Sequence, residues 1–335
     1  MKEYTSEKYI GLGHVPIGIG AAIKGWNITD EHFRKPNALP VIDFFAMTHA
    51  CPHDCFHCFT DKNKKTLTLE EIKNTIDQLS EMKTSTINYD GEGEPTIDKD
   101  FFEIIEYTTK KGIQPIVFTD GATKLRDKKF VARLKKSGAS VCLKCDSLWN
   151  AEFQNWVVGD KTGEYFDQRN EAIKTLMEEG FNAREKDGTT RIGFDMVVCQ
   201  KNMHEVEKTL RYCRENNFWI VFAFYLPSGR SGKDNFDKTL MLSKEEKRKL
   251  REIVNKVDEE YGFKHDSNNN FLTSRCVEFM CIHGDGRVCP CPANEKILGN
   301  IKTESIKELR KKIIEIFPRH DPATFDGYCL YRERI

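Results

Sequence analysis

The chain has 335 residues and carries 52 Lys plus Arg against 52 Asp plus Glu, a balance that gives no basic footprint for nucleic acid. No apolar run approaches the ~20 residues of a membrane-spanning helix, and Met1-Lys2-Glu3-Tyr4-Thr5 lacks the basic-then-apolar form of a secretion signal, so the expected address is cytoplasmic. The 12 cysteines, bunched at two places, then read as metal ligands rather than as a disulfide framework.

In chain order, residues 1–40 hold Gly11, Gly13, Gly18 and Gly20 without a clear period, and no Lys-Ser/Thr ending makes them a phosphate loop. They predict an irregular leader lying over the main domain. Val41–Met47 is an apolar run of strand length that delivers the chain to Cys51. Thr68-x-x-Glu71 is a capping box, followed by Leu69, Ile72, Ile76 and Leu79 at helical spacing. Strands are expected at Ser85–Tyr89, Ile113–Thr119, Ser140–Cys145, Arg191–Val198 and Phe218–Leu226. Helices are expected over Phe101–Lys111, around Phe130–Lys136, over Tyr165–Glu179 and over His204–Glu215. Gly112, Gly138 and Gly180 stop three of those helices.

Six strands alternating with helices imply parallel βαβ units, which right-handed crossovers can curl into an open barrel. The predicted fold is therefore α/β: a partial (β/α)6 TIM barrel over residues 41–235, with chemistry at the C-terminal strand ends. A helix opened by Ser243-x-x-Glu246 then leads into a small α+β extension, giving a third region over 236–335. Arg230, in the loop after the last strand, is a candidate carboxylate holder.

Ala50-Cys51-Pro52-His53-Asp54-Cys55-Phe56-His57-Cys58 places three thiols in eight residues directly after the first strand. Tetrahedral zinc takes four protein ligands, so a zinc knuckle here would have to recruit His53 or His57. Three thiolates instead leave one iron of a 4Fe-4S cube open to a substrate or cofactor. After the second strand comes Asp90-Gly91-Glu92-Gly93-Glu94-Pro95, a turn whose glycines let a ligand approach the backbone closely.

The Cys-x3-Cys-x2-Cys cluster, followed some thirty residues later by Gly93-Glu94-Pro95, resembles the signature of the radical S-adenosylmethionine (radical SAM) superfamily. Glu92 stands where that family's Gly-Gly-Glu-Pro element has its first glycine. The resemblance implies that Cys51, Cys55 and Cys58 hold a 4Fe-4S cluster whose open iron chelates the methionine moiety of S-adenosylmethionine, with Gly91 to Pro95 receiving its amino group. It places Phe56 and His57 near the adenine and Asp146 and Ser147 at the ribose, the last two having a helix-capping role as the plain alternative. It implies reductive cleavage of the cofactor to a 5′-deoxyadenosyl radical that abstracts hydrogen from an unreactive carbon, with a flavodoxin or ferredoxin type electron donor as partner. Asp195, Cys199 and Cys145 are the candidate substrate-side residues, the thiols as hydrogen-atom donors. Cys213 reads as core.

Near the C-terminus, Cys276, Gly286 and Cys291 with the Gly-Arg-Val hairpin and the Leu298-Gly299-Asn300-Ile301 run resemble the SPASM or twitch extension of such enzymes. That resemblance implies one auxiliary 4Fe-4S cluster on Cys276, Cys281, Cys291 and Cys329, with Cys289 as substitute; a zinc site on the same thiols is the alternative. A first region too short for a peptide-recognition domain favours a small-molecule substrate, undergoing oxidation, epimerisation or rearrangement, over a peptide. A non-catalytic iron-sulfur or zinc protein is the rival from another class, and it leaves the glycine turn unexplained.

Overall fold

The computed structural model describes residues 23–26, 38–58, 60, 67–225, 237–262, 280–290 and 296–316. Arg230, Cys276, Cys291 and Cys329 lie outside these residues, as does most of the leader.

Six strands form one parallel sheet in the order β1 (Val41–Ile42), β3 (Thr86–Tyr89), β4 (Gln114–Thr119), β5 (Ser140–Lys144), β6 (Ile192–Val198), β7 (Trp219–Phe224). It curls into the predicted partial (β/α)6 barrel. Alternation along each strand sorts the side chains onto two faces. Val117, Val141, Leu143, Phe194, Ile220 and Phe222 join the large core with Ile76, Ile104, Leu134, Leu176 and Leu210 of the surrounding helices. The neighbouring residues Val41, Ile116, Cys142, Trp219 and Val221 form a separate inner cluster.

That inner cluster is completed by Ile23 and Trp26, which plug the barrel at the N-terminal ends of the strands. Ile23 bridges to Thr190, the Trp26 indole meets Trp219 edge-on at 4.2 Å, and its N–H donates to the Asn88 side-chain Oδ1 at 3.0 Å. The described part of the leader thus closes the closed end of the barrel and leaves its mouth to the residues after the strands.

The helices are α1 (Leu69–Glu81), α2 (Phe101–Lys110), α3 (Lys128–Lys136), α4 (Ala151–Val158), α5 (Tyr165–Glu178), α6 (Val206–Glu215), α7 (Lys244–Glu260) and α8 (Ile306–Ile316). The capping boxes at Thr68/Glu71 and Ser243/Glu246 form as the sequence predicts. Helix α7 packs on α6 through the buried Arg214–Asp258 pair, 2.7 Å apart.

Two expectations need correction. Val41–Met47 is not one strand: β1 pairs with β3, whereas β2 (Phe44–Phe45) leaves the barrel and pairs with β8 (Cys281–Ile282). The chain switches sheets at Asp43, whose amide donates to the Met280 carbonyl. A second sheet follows, in the order β10 (Gly299–Asn300), β9 (Arg287–Cys289), β8, β2. Secondly, α4 is absent from the sequence reading because Ala-Glu-Phe-Gln-Asn-Trp-Val-Val has no clean helical period; Asn150 caps it, accepting from the Phe153 amide at 2.9 Å.

Candidate active site

The three-cysteine loop sits at the barrel mouth, held by backbone contacts on both sides. The Asp54 amide donates to the Val158 carbonyl at 3.0 Å and the Phe56 amide to Val157 at 3.1 Å, which pins the loop to the end of α4. On the other side the Glu94 amide donates to the Ala50 carbonyl at 2.8 Å, and a Cβ at Gly93 would collide with that same carbonyl. Gly91 has φ +120° and lies against the Phe44 ring. The glycine turn therefore packs onto the cysteine loop as closely as backbone permits, and only glycine fits at both positions.

His53 and Asp120 add a side-chain clasp, Nε2 to Oδ2 at 2.7 Å, and Asp120 also accepts from the Thr123 amide at 2.9 Å. Glu94 is fully buried and spent on structure: its carboxylate accepts from the Thr96 amide, the Thr119 hydroxyl and the Asp120 amide. Burial, then the charge of Asp120, pushes it up to about 8. Glu94 thus staples the turn to the end of β4, and its carboxylate points away from any ligand role.

The thiols of Cys51, Cys55 and Cys58 are half-buried. Burial, opposed in part by Lys144, pushes Cys55 up to about 12, and the neighbouring Cys58 and Cys51 add to the rise. A thiol so raised becomes a thiolate only when a cation offsets the cost, which is what iron supplies. Three thiols on one loop leave one iron of a 4Fe-4S cube open, whereas zinc would need a fourth protein ligand.

Around the loop runs an aromatic and charged wall. Phe56 lies 4.4 Å from Trp156 and 5.2 Å from Tyr225, centroid to centroid. His57 is buried, its Nε2 3.7 Å from Asp146. Burial and Lys144 hold it down at about 3, so its imidazole is neutral, and its Nδ1 has no hydrogen-bond partner. Lys144, at the end of β5, lies between Asp146 at 3.1 Å and Asp195 at 3.8 Å. Burial opposes its charge, but the two carboxylates win and raise its pKa. Asp195 is raised by burial against the pull of Lys144. Asp90 reaches about 8, through burial and then the charges of Asp195 and Asp43.

The candidate residues separate under this geometry. Asp195 faces the barrel interior beside Lys144. Cys199 is buried among Phe153, Val157, Tyr165 and Tyr225, next to Cys55 and Phe56, and burial raises its thiol. Cys145 needs correction: β5 alternation turns it outward into the core between sheet and helices, where burial pushes it up to about 11, so it cannot reach a substrate in the barrel. Ser147 also needs correction. Its hydroxyl donates to Glu205 and accepts from the Trp149 and Asn150 amides, so it caps the turn before α4. Asp146 keeps one oxygen, Oδ2, buried and without a hydrogen-bond partner. Cys213 is core, as expected.

Lys144, Asp90 and His283 carry no role in the sequence reading, and His53 enters it only as an alternative zinc ligand. A usable signal existed for Lys144: a lysine ending an otherwise apolar strand, in phase with Cys142 and not with Leu143. Behind the turn, Cys281 and Cys289 face each other across β8 and β9. His283 lies between the Cys289 sulfur at 3.3 Å and Glu92 at 2.9 Å. Burial opposes the protonation of His283, but these two contacts outweigh it and raise the imidazole to about 9. Cys289 falls to about 6, first through its contact with Cys281, with burial opposing and His283 assisting.

An open parallel barrel with a glycine turn packed on a three-thiol loop at its mouth defines a class of cluster-bearing barrel enzyme. The family model of the Radical SAM superfamily matches residues 45–225, and the chain belongs to that superfamily. It is a radical SAM enzyme, with a 4Fe-4S cluster and S-adenosylmethionine as its cofactors. Among curated proteins it is 25% identical over 292 residues to the mycofactocin maturase MftC of Mycolicibacterium smegmatis, covering 82% of this chain and 70% of that one. It is 24% identical to the antilisterial bacteriocin subtilosin biosynthesis protein AlbA of Bacillus subtilis, covering 87% and 66%, and 23% identical to the AdoMet-dependent heme synthase of Methanosarcina barkeri, covering 87% of each. Among solved structures, anSMEcpe with bound AdoMet and the Cp18Cys peptide superposes with a TM-score of 0.63 at 19% identity, covering 88% of both chains. No described helix is long and apolar enough to cross a membrane.

Proposed function

We propose that this enzyme modifies a peptide. The observation that carries the reading is that the similarity to the mycofactocin and subtilosin proteins runs over 82% and 87% of the chain, beyond the 45–225 span of the family model. The small-molecule substrate expected from the sequence is the second reading, and the equal 87% coverage of the heme synthase speaks for it.

In the proposed assignment Cys51, Cys55 and Cys58 hold the cluster, and the backbone of Gly91 to Gly93 holds the methionine end of the cofactor. Together, cluster and cofactor supply a 5′-deoxyadenosyl radical able to take hydrogen from an unreactive carbon. Phe56, tilted against both Trp156 and Tyr225, shields the loop from water, and the neutral His57 offers its unpartnered Nδ1 to the adenine. Asp146, with its free Oδ2, serves the ribose. Lys144 and Asp195 line the substrate side, where they orient polar groups, and Cys199 is the hydrogen-atom donor closest to the loop. Cys281, Cys289 and the cysteines outside the described residues are assigned to one auxiliary 4Fe-4S cluster. A low-potential flavodoxin or ferredoxin supplies electrons, in a reducing cytoplasm that keeps the thiols free for metal.

A label-transfer experiment tests the substrate class. Anaerobically reconstituted enzyme with dithionite and S-adenosylmethionine is incubated with an extract of cells grown on deuterated medium, before and after protease digestion. Deuterium in 5′-deoxyadenosine that is lost on digestion supports a peptide. Label that survives digestion replaces it with a small molecule.

A further inference from the structure

The family resemblance leaves one residue unexplained: Glu92, where a glycine is expected. Its backbone lies between Gly91, jammed against the Phe44 ring, and Gly93, jammed against the Ala50 carbonyl. The turn is therefore tightly confined, and what moves it also presses on its neighbours. The Glu92 side chain, 1% exposed, crosses to the second sheet. Oε1 meets His283 Nδ1 at 2.9 Å and Oε2 accepts from the Gly284 amide at 2.7 Å. A carboxylate only accepts, so His283 donates through Nδ1 and turns its other nitrogen to the Cys289 sulfur at 3.3 Å.

The surrounding contacts make this linkage rigid. Phe44 packs with Ala46, Cys281 and Cys289 and stands 5.5 Å from the His283 ring. The Asp43 and Ala46 amides donate to Met280 and Ile282 on either side of the β2–β8 pairing. A displacement of the glycine turn is thus transmitted to the β8–β9 hairpin through one buried carboxylate and one ring. A glycine at position 92 would leave the two sheets in contact but remove both charge-assisted bonds, and those are stronger than neutral ones.

We propose that Glu92 is a positioning residue that couples the cofactor-binding turn to the C-terminal cysteine hairpin, so that occupancy of the turn is felt at Cys281 and Cys289. This rests on the reading that residues 91–95 receive S-adenosylmethionine. The coupling is a binding free energy and is reciprocal: whatever loosens the hairpin weakens the cofactor, and the reverse.

Hydrogen exchange of residues 280–290 in the reconstituted holoprotein, with and without S-adenosylmethionine, reads the coupling directly, with cofactor affinity measured in parallel. In the wild type the cofactor is expected to slow exchange in the hairpin at least fivefold. Glu92→Gly is expected to abolish that protection and weaken the cofactor roughly tenfold. Glu92→Gln, which keeps one acceptor, falls between. His283→Gln, outside the turn, is expected to weaken both readouts in the same direction, and it stands in if Glu92→Gly does not fold by circular dichroism. Wild type that binds the cofactor without protecting the hairpin, or variants that keep full protection, would overturn the coupling. Wild type that does not bind the cofactor removes the reading of the turn, and the coupling with it.

Discussion

The two cysteine-bearing regions are built in opposite ways. At the barrel mouth, Cys51, Cys55 and Cys58 lie on an irregular loop held by backbone hydrogen bonds to α4 and to the glycine turn, and their thiols remain half-buried. In the second sheet, Cys281 and Cys289 are registered opposite each other by strand pairing, are 0% and 1% exposed, and are braced by His283 and Glu92. The first arrangement leaves a side open for a ligand. The second surrounds its sulfurs with protein. The contrast teaches that backbone fixes a site that must admit something, whereas side-chain chains fix a site that must not move.

The sharpest way to break the open region is Cys55→Ala. It is expected to abolish 5′-deoxyadenosine formation while a fraction of the iron remains; loss of all iron would remove the auxiliary cluster from the scheme. Next comes Lys144→Met, which strips the cation from between Asp146 and Asp195. Losing one partner of a buried pair costs about 3 kcal/mol or more, so a clear drop in the urea midpoint is expected, and an unchanged midpoint would mean the lysine is solvated. Gly93→Ala should cost about 1–3 kcal/mol as overpacking and displace Cys51 with it. Gly112→Ala, where no atom lies within 4 Å, supplies the control, strained only by its φ of +78°.

The last comparison is a pH dependence. Asp90 rises to about 8 in the fold, from the ordinary value of 3.8. The native state keeps a proton that the unfolded chain releases, so this stability is full below about pH 4 and drains as pH rises toward 8. Asp90→Asn should therefore match the wild type near pH 4 and become progressively more stable than it as pH rises through 8, in urea unfolding. Glu94, also raised to about 8, keeps part of the slope in the variant. A difference independent of pH would show that Asp90 is solvated.

The sequence alone determined the barrel, because each strand and helix carries its own period and caps: Thr68/Glu71, Ser243/Glu246, Gly112 and Gly180 act within a few residues of where they stand. It also determined the three-cysteine loop and its nearness to Gly93, since the spacing of ligands and the strand ends that display them are local facts. Tertiary structure alone decided that Val41–Met47 is split between two sheets and that Glu94 is a staple between the glycine turn and β4. It alone placed Lys144 among carboxylates and joined Glu92 to His283 across 191 residues. The physical reason is common to all of these. A hydrogen bond or ion pair between distant segments leaves no periodic trace in the chain, and which carboxylate binds a ligand and which merely holds the wall depends on what packing has already spent.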